Sequence, residues 1–266
     1  MEELSLNQFE LEEKQKIVSN WLPRYTGMPL EKFGKYIVLC NFRHYMKSFS
    51  EHYGVQIYGE DSAMQACTAN NITMINFGMG SSMAATIMDL LTAIQPAACL
   101  FLGKCGSLKK NIPIGSFLLP IGGIRGEGTS NDYLPIEVPS LPAFQLQRAA
   151  SHIIKQYKQN YFSGTVYSTN RRVWEHDQDF KNKLKNLRAT AIDMETATLF
   201  ITGFANDIPT GALLLVSDQP MSPEGIKTHE SDKSVTSNFA SLHLKMGMDS
   251  LKQIINSGES VKHLQY

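Results

Sequence analysis

The sequence predicts an α/β fold, a three-layer α/β/α sandwich with helices on both faces of a central β-sheet. Short apolar, β-branched runs recur at residues 36–39, 72–76, 98–102, 116–120, 165–168, 190–194 and 211–216. Helical periodicity fills many of the intervals, at 82–95, 144–157, 196–206 and 238–255. Strand alternating with helix is the pattern of a sheet covered on both sides. No internal repeat or low-complexity linker divides the 266 residues, a length that buries one full core. One domain over 1–266 is therefore expected.

Taken in chain order, residues 4–22 mix charges with Leu4, Leu6, Phe9, Leu11, Ile17 and Trp21, which predicts a peripheral amphipathic helix within about residues 1–25. The strand at 36–39 is followed by Asn41-Phe42-Arg43-His44. Ligands of open α/β sheets bind outside the carboxyl ends of strands, so Arg43 is a candidate phosphate clamp, with a solvated surface arginine as the competing reading. The strand at 72–76 leads into Phe77-Gly78-Met79-Gly80-Ser81-Ser82, where glycine permits a sharp turn and a serine can cap the helix behind it. That helix start favours anions, although most glycine-rich turns are only turns.

After the strand at 98–102 comes Gly103-Lys104-Cys105-Gly106. A turn gains nothing from a long cation between glycines, so Lys104 is either a solvated lysine or a cation aimed at an anionic group. Prolines 113, 120, 135, 139 and 142 punctuate a central region read as a site-building loop, and Arg125, Glu127, Thr129 and Ser130 lie among its glycines. Beyond the strand at 165–168, Arg172 and Trp174 could sandwich a flat ring; a core tryptophan beside surface arginines is the alternative.

The last two features are Met194-Glu195, at a strand-to-helix junction, and Ser217-Asp218, just past the run at 211–216. Glu195 can accept two hydrogen bonds from a sugar diol, or can be a helix-start glutamate. Asp218 sits where partial burial is expected, which favours a protonated acid; an N-cap role is the weaker reading.

Bulk properties exclude several classes. Lys plus Arg and Asp plus Glu both number 25, so no overall field recruits nucleic acid or an anionic membrane. No apolar run approaches a membrane span, and the acidic start is neither a signal nor a transit peptide. Cys40, Cys67, Cys99 and Cys105 form no paired motif and have no histidine at metal-ligand spacing, which points to a reducing cytoplasm and no metal.

Together Met79, Gly80, Met194, Glu195 and Asp218 resemble the nucleoside phosphorylase/hydrolase superfamily, over roughly residues 36–255. The stretches around Gly164, Arg172 to Glu175, Ala191 to Thr198, Pro209 to Pro220 and Lys227 are similar to the catalytic domain of its AMP nucleosidase branch. The resemblance implies a phosphorylase/hydrolase-like fold with a twisted mixed sheet and hydrolysis of AMP to adenine and ribose 5-phosphate. Asp218 would protonate the leaving base, and Glu195 would hold the ribose hydroxyls against Met79 and Met194. Trp174 and Arg172 would cover the base. Arg43, Lys104, Arg125 and Lys227 are the cations available to the 5′-phosphate. It implies no cofactor, and a homo-oligomer built from dimers, up to a hexamer.

Two departures from the superfamily pattern matter. Phe101 and Lys104 stand where the phosphorylases place an Arg and a Ser or Thr to hold free phosphate. The first loop lacks the water-activating Glu of the methylthioadenosine nucleosidases, so no base is assigned. The alternatives are a purine nucleoside phosphorylase or another purine nucleosidase, and a nucleotide-binding regulatory protein without turnover.

Overall fold

The computed structural model describes the backbone of residues 2–258, 260 and 261, and the side chains from residue 12 onward within that range. Helix α1 (Glu2–Thr26) leads into β1 (Tyr36–Cys40), α2 (Arg43–Tyr53), the hairpin of β2 (Gln65–Ala69) and β3 (Ile72–Asn76), and α3 (Ser81–Leu91). Strands β4 (Ala98–Ser107) and β5 (Phe117–Gly126) follow, then α4 (Phe144–Gln156), β6 (Tyr161–Thr169), α5 (Gln178–Asn186) and β7 (Ala191–Asp193). The chain closes with α6 (Thr196–Ala205), β8 (Thr210–Asp218) and α7 (His229–Ser257).

The eight strands lie in the order β2-β3-β1-β4-β7-β6-β5-β8, with β8 also pairing β4. Pairings β1–β3, β1–β4, β4–β8, β5–β6 and β6–β7 are parallel; β2–β3, β4–β7 and β5–β8 are antiparallel. The α/β class and the mixed sheet are as the sequence predicts. The second β4–β8 pairing is a feature that strand spacing does not reveal. It closes β4, β8, β5, β6 and β7 into a ring, leaving β1, β3 and β2 as an extension.

Side chains alternate across the strands with period two, and both faces are dry. Val38, Leu100, Leu102, Leu213 and Leu215 join the core beneath α2, α4 and α7. Ile37, Leu39, Phe101, Leu214 and Val216 join the core on the other face, beneath α1, α3 and α6.

Several boundaries differ from the sequence reading, each for a physical reason. Residues 103–107 continue β4 instead of turning, because Lys104 pairs in register with Leu215 and the whole strand is buried. Glycine is needed at 103, since a Cβ there would lie 2.4 Å from the Phe101 ring. Arg125 likewise sits in β5, paired with Ser168, rather than in a loop. The segment after β1 is helical from Arg43, and β2 and α5 lacked a periodic signal long enough to be read. Helix α1 is less peripheral than its pattern suggests: Val18 and Leu22 are buried. The side chains of Leu4, Leu6, Phe9 and Leu11 lie outside the described residues.

Candidate active site

A cleft of about 260 Å³ opens where β1, β4, β7 and β8 end, roofed by the start of α7. Five carboxylates and four cations line it: Glu175, Asp193, Glu195, Asp218 and Asp232 with Lys104, Arg171, Arg172 and Lys227.

Glu195 is the N-cap residue of α6, buried to 2% exposure. Its Oε1 accepts the Gly80 N–H at 2.7 Å and its Oε2 the Met194 N–H at 3.2 Å. Gly80 has φ +95°, and a Cβ there would meet nothing within 4 Å, so backbone conformation and not space selects glycine. Burial, reinforced by the neighbouring Asp193 carboxylate, pushes Glu195 above the usual carboxylate range. Asp193 accepts Ser168 Oγ at 2.6 Å, the Thr196 N–H at 2.9 Å and the Thr196 hydroxyl. The two carboxylates thus form a fixed, dry floor.

Asp218 ends β8 at 8% exposure. A register shift between Cys105 and Gly106 sets it opposite Gly106, so the bulge aims its side chain. Its Oδ1 accepts Ser217 Oγ at 2.7 Å and faces Lys227 Nζ at 3.5 Å.

Lys104 reaches upward from β4 with its side chain only 4% exposed. Its ammonium donates to Asp232 Oδ1 at 2.9 Å and Thr236 Oγ1 at 2.8 Å, both on α7, and lies 4.6 Å from the centre of the Phe42 ring. Burial lowers the Lys104 pKa against the opposing pull of Asp232. Burial would raise Asp232, but Lys104 and Lys227 outweigh it and hold that carboxyl below the usual range. Lys227 Nζ lies 3.8 Å from Asp232 Oδ1, so it bridges Asp232 and Asp218.

Trp174 is both core and cleft wall: it is 4% exposed, sits 5.3 Å from the Phe180 ring centre and lines the cavity. Arg172, exposed beside it, makes only a 3.5 Å pair with Glu175. Met79 is 59% exposed at the mouth, and Met194 lies inside.

Two expected cations are not brought into the cleft. Arg43 is exposed on the first turn of α2. Arg125 is consumed by the following loop: its Nε donates to Ser130 Oγ at 2.9 Å, and its terminal nitrogens to the carbonyls of Ser130, Leu134, Pro135 and Val138 and to Asn131 Oδ1. It is a staple for residues 130–138. The expected serine cap of α3 is also corrected. Gly80 is the N-cap residue, and the Ser81 hydroxyl instead bonds Thr129 at 2.8 Å and Asn170 at 2.5 Å.

Asn41, Asp193 and Asp232 were not singled out from the sequence. Asn41 lines the cleft beside Glu195 and opposes the upward push of burial on its carboxyl. The one available signal for Asp232 is Thr228-x-x-Ser231, a capping box that announces α7 with an acid in its first turn. Nothing in spacing links it to Lys104. Among the described residues no cluster of His, Cys, Asp and Glu is arranged to hold a metal, and no helix is long and apolar enough to cross a membrane.

The closed mixed sheet thus carries a carboxylate floor, Asp193 and Glu195, and a second carboxylate, Asp218, at the end of β8, all facing one cleft. Residues 35–252 match the phosphorylase superfamily, and the chain belongs to it. The AMP nucleosidase of Escherichia coli K12 is 29% identical over 284 aligned residues, 90% of this chain and 58% of that protein. The chain thus spans about 58% of the length of the curated relatives it matches first. The crystal structure of an AMP nucleosidase from Bacteroides thetaiotaomicron superposes with TM-score 0.83 at 54% identity, covering 92% of this chain and 99% of that one. A uridine phosphorylase structure from Vibrio fischeri shares the fold at 18% identity and TM-score 0.74, covering 84% of this chain and 94% of that one.

Proposed function

We propose that the cleft hydrolyses the N-glycosidic bond of AMP, yielding adenine and ribose 5-phosphate. The carrying observation is that Glu195 and Asp218 share one cleft with Lys227 and Arg172, cations whose ion pairs are long, at 3.5 to 3.8 Å. The likeness to two AMP nucleosidases supports the same reading.

Glu195 orients the ribose 2′- and 3′-hydroxyls, and its charge when ionised favours the positive sugar that forms as the bond breaks. Met79 and Met194 pack against the sugar, Gly80 holds the Glu195 carboxylate, and Trp174 and Arg172 cover the base. Asp218 donates a proton to adenine N7. Lys227, whose ion pairs with Asp218 and Asp232 are long at 3.5 and 3.8 Å, is placed to turn toward a 5′-phosphate. Lys104, held at 2.9 and 2.8 Å, is less free to turn toward a phosphate.

Phe101 and Lys104 oppose free phosphate as the nucleophile: Phe101 is fully buried against Phe77, and Lys104 is committed to α7. Homo-oligomerisation and a cytoplasmic location belong to the same proposal, resting on family resemblance and on four free, buried cysteines.

Incubating the protein with AMP or adenosine and separating the products by chromatography tests this. The expected result is adenine and ribose 5-phosphate from AMP without added phosphate, with kcat/KM at least about tenfold above adenosine, the scale of one lost charged contact. Equal kcat/KM on the two refutes the phosphate role, and phosphate-dependent release of a sugar 1-phosphate assigns a phosphorylase.

A further inference from the structure

We propose that Asp232 is the base that activates the hydrolytic water and that Lys104 is its positioning residue. This rests on the AMP-hydrolysis reading. Splitting a glycosidic bond with water takes two proton-handling groups, one for the leaving base and one for the water. The cleft carboxylates sort by what their oxygens already hold. Both oxygens of Asp193 are taken by Ser168 and Thr196, and both of Glu195 by the N–H groups of Gly80 and Met194. Glu175 accepts the Trp174 N–H and Arg172. Among the described residues, Asp218 and Asp232 alone in the cleft are anchored through Oδ1 with Oδ2 taking no hydrogen bond.

These two carboxylates differ in the way an acid and a base should. The Asp218 side chain is 11% exposed at a strand end, whereas the Asp232 side chain is 41% exposed, open to a water. Asp232 lies in the first turn of α7, where the helix dipole favours negative charge, and two ammonium groups face it. Lys227 Nζ is 3.5 Å from one Oδ1 and 3.8 Å from the other, so the two Oδ1 atoms are at most about 7 Å apart. Acid and base therefore face the same cleft, within reach of one bound nucleotide.

Lys104 supplies an independent argument. A buried ammonium in an apolar strand is expensive unless something is gained from it. Here it fixes Asp232 Oδ1 on a residue that lines the cleft and leaves Oδ2 without a hydrogen bond. In the step, water oxygen bonds to C1′ while its proton passes to Asp232 Oδ2. The C1′–N9 bond breaks, its electron pair goes to adenine, and Asp218 protonates N7. Solvent then reprotonates Asp218 and deprotonates Asp232.

Wild type, Asp232→Asn and Asp232→Ala are compared on AMP with and without sodium azide, with thermal melting and circular dichroism for integrity. Asp232→Asn should lose about 10²–10⁴-fold in kcat with KM changed less than about threefold, and should lose the acidic limb of the kcat–pH profile. Azide should restore turnover to Asp232→Ala, giving a ribosyl azide 5-phosphate of inverted configuration. Lys104→Met should shift the acidic limb to higher pH. Retention of kcat within about fivefold by Asp232→Asn overturns the assignment, as does a loss that azide does not rescue while the acidic limb persists. If Asp232→Ala does not fold, the limb in the isosteric Asp232→Asn decides. Wild type that releases no adenine from AMP overturns the parent reading, whereas an active wild type with an active Asp232→Asn overturns only the base.

Discussion

Acid should loosen this fold through one buried imidazole. His243, on α7, is fully buried. Its Nε2 lies 2.8 Å from the Leu213 carbonyl, which only accepts, so Nε2 carries the proton and Nδ1 accepts the Tyr45 hydroxyl at 2.7 Å. A second proton would point at a hydroxyl that already donates. Burial pushes the pKa down to about 4; the Leu213 bond opposes this and the Lys104 charge adds to it. The unfolded value is about 6.5. Between those limits the unfolded chain binds more protons, so the contribution is complete above about pH 6.5 and is lost as pH falls toward 4. The gap corresponds to about 3 kcal/mol, a large part of a typical margin of about 5–15 kcal/mol. Urea unfolding of wild type and His243→Gln, followed by circular dichroism from pH 7.5 to 4, isolates it because carboxylate effects are common to both. The stability difference should narrow by about 2–3 kcal/mol over that range. A difference that stays level with pH refutes the reasoning. The effect also bears on the cleft, since α7 carries Asp232 and Thr236.

Asp218→Asn should lower kcat on AMP by about 10²-fold or more, the lower range for a positioned acid; near-normal turnover in a steady-state assay removes it from that role. Arg125→Ala should lower Tm by several degrees, because hydrogen bonds to a charged group contribute about 1.5–3 kcal/mol each and at least four carbonyls lose a donor. Its KM for AMP should change less than about twofold. A large rise in KM with unchanged Tm, read by differential scanning fluorimetry and initial rates, would return Arg125 to the phosphate.

What was legible in the sequence was what local pattern encodes. The strands at 72–76 and 211–216 and the helices at 144–157 and 196–206 are periodic, and the structure forms them within a few residues. Met194-Glu195 and Ser217-Asp218 were readable because carboxylates stand out at the ends of apolar runs. Lys104 stands out for its setting, but its flanking glycines read locally as a turn. Its strand continues only because β8, more than a hundred residues later, pairs with it. Arg125 looked like a ligand cation because its six acceptors lie in a loop whose path no local rule predicts. Asp232 was invisible for the same reason: its partner is 128 residues away.

The first helix has a consequence for where this protein can be cut. The family match begins at residue 35, yet Val18, Leu22 and Met28, before it, are at most 4% exposed in the core beneath α3 and α6. Lys14 bonds Asp89 at 2.9 Å and Asn206 at 2.7 Å, and Gln15 caps the Thr92 carbonyl at 2.8 Å. Burying three such apolar side chains contributes about 5–8 kcal/mol, comparable with the whole stability of an ordinary domain. The boundary drawn by kinship is therefore not the boundary drawn by physics. A fragment trimmed to the shared region would keep every cleft carboxylate and lack the greasy underside on which their scaffold rests.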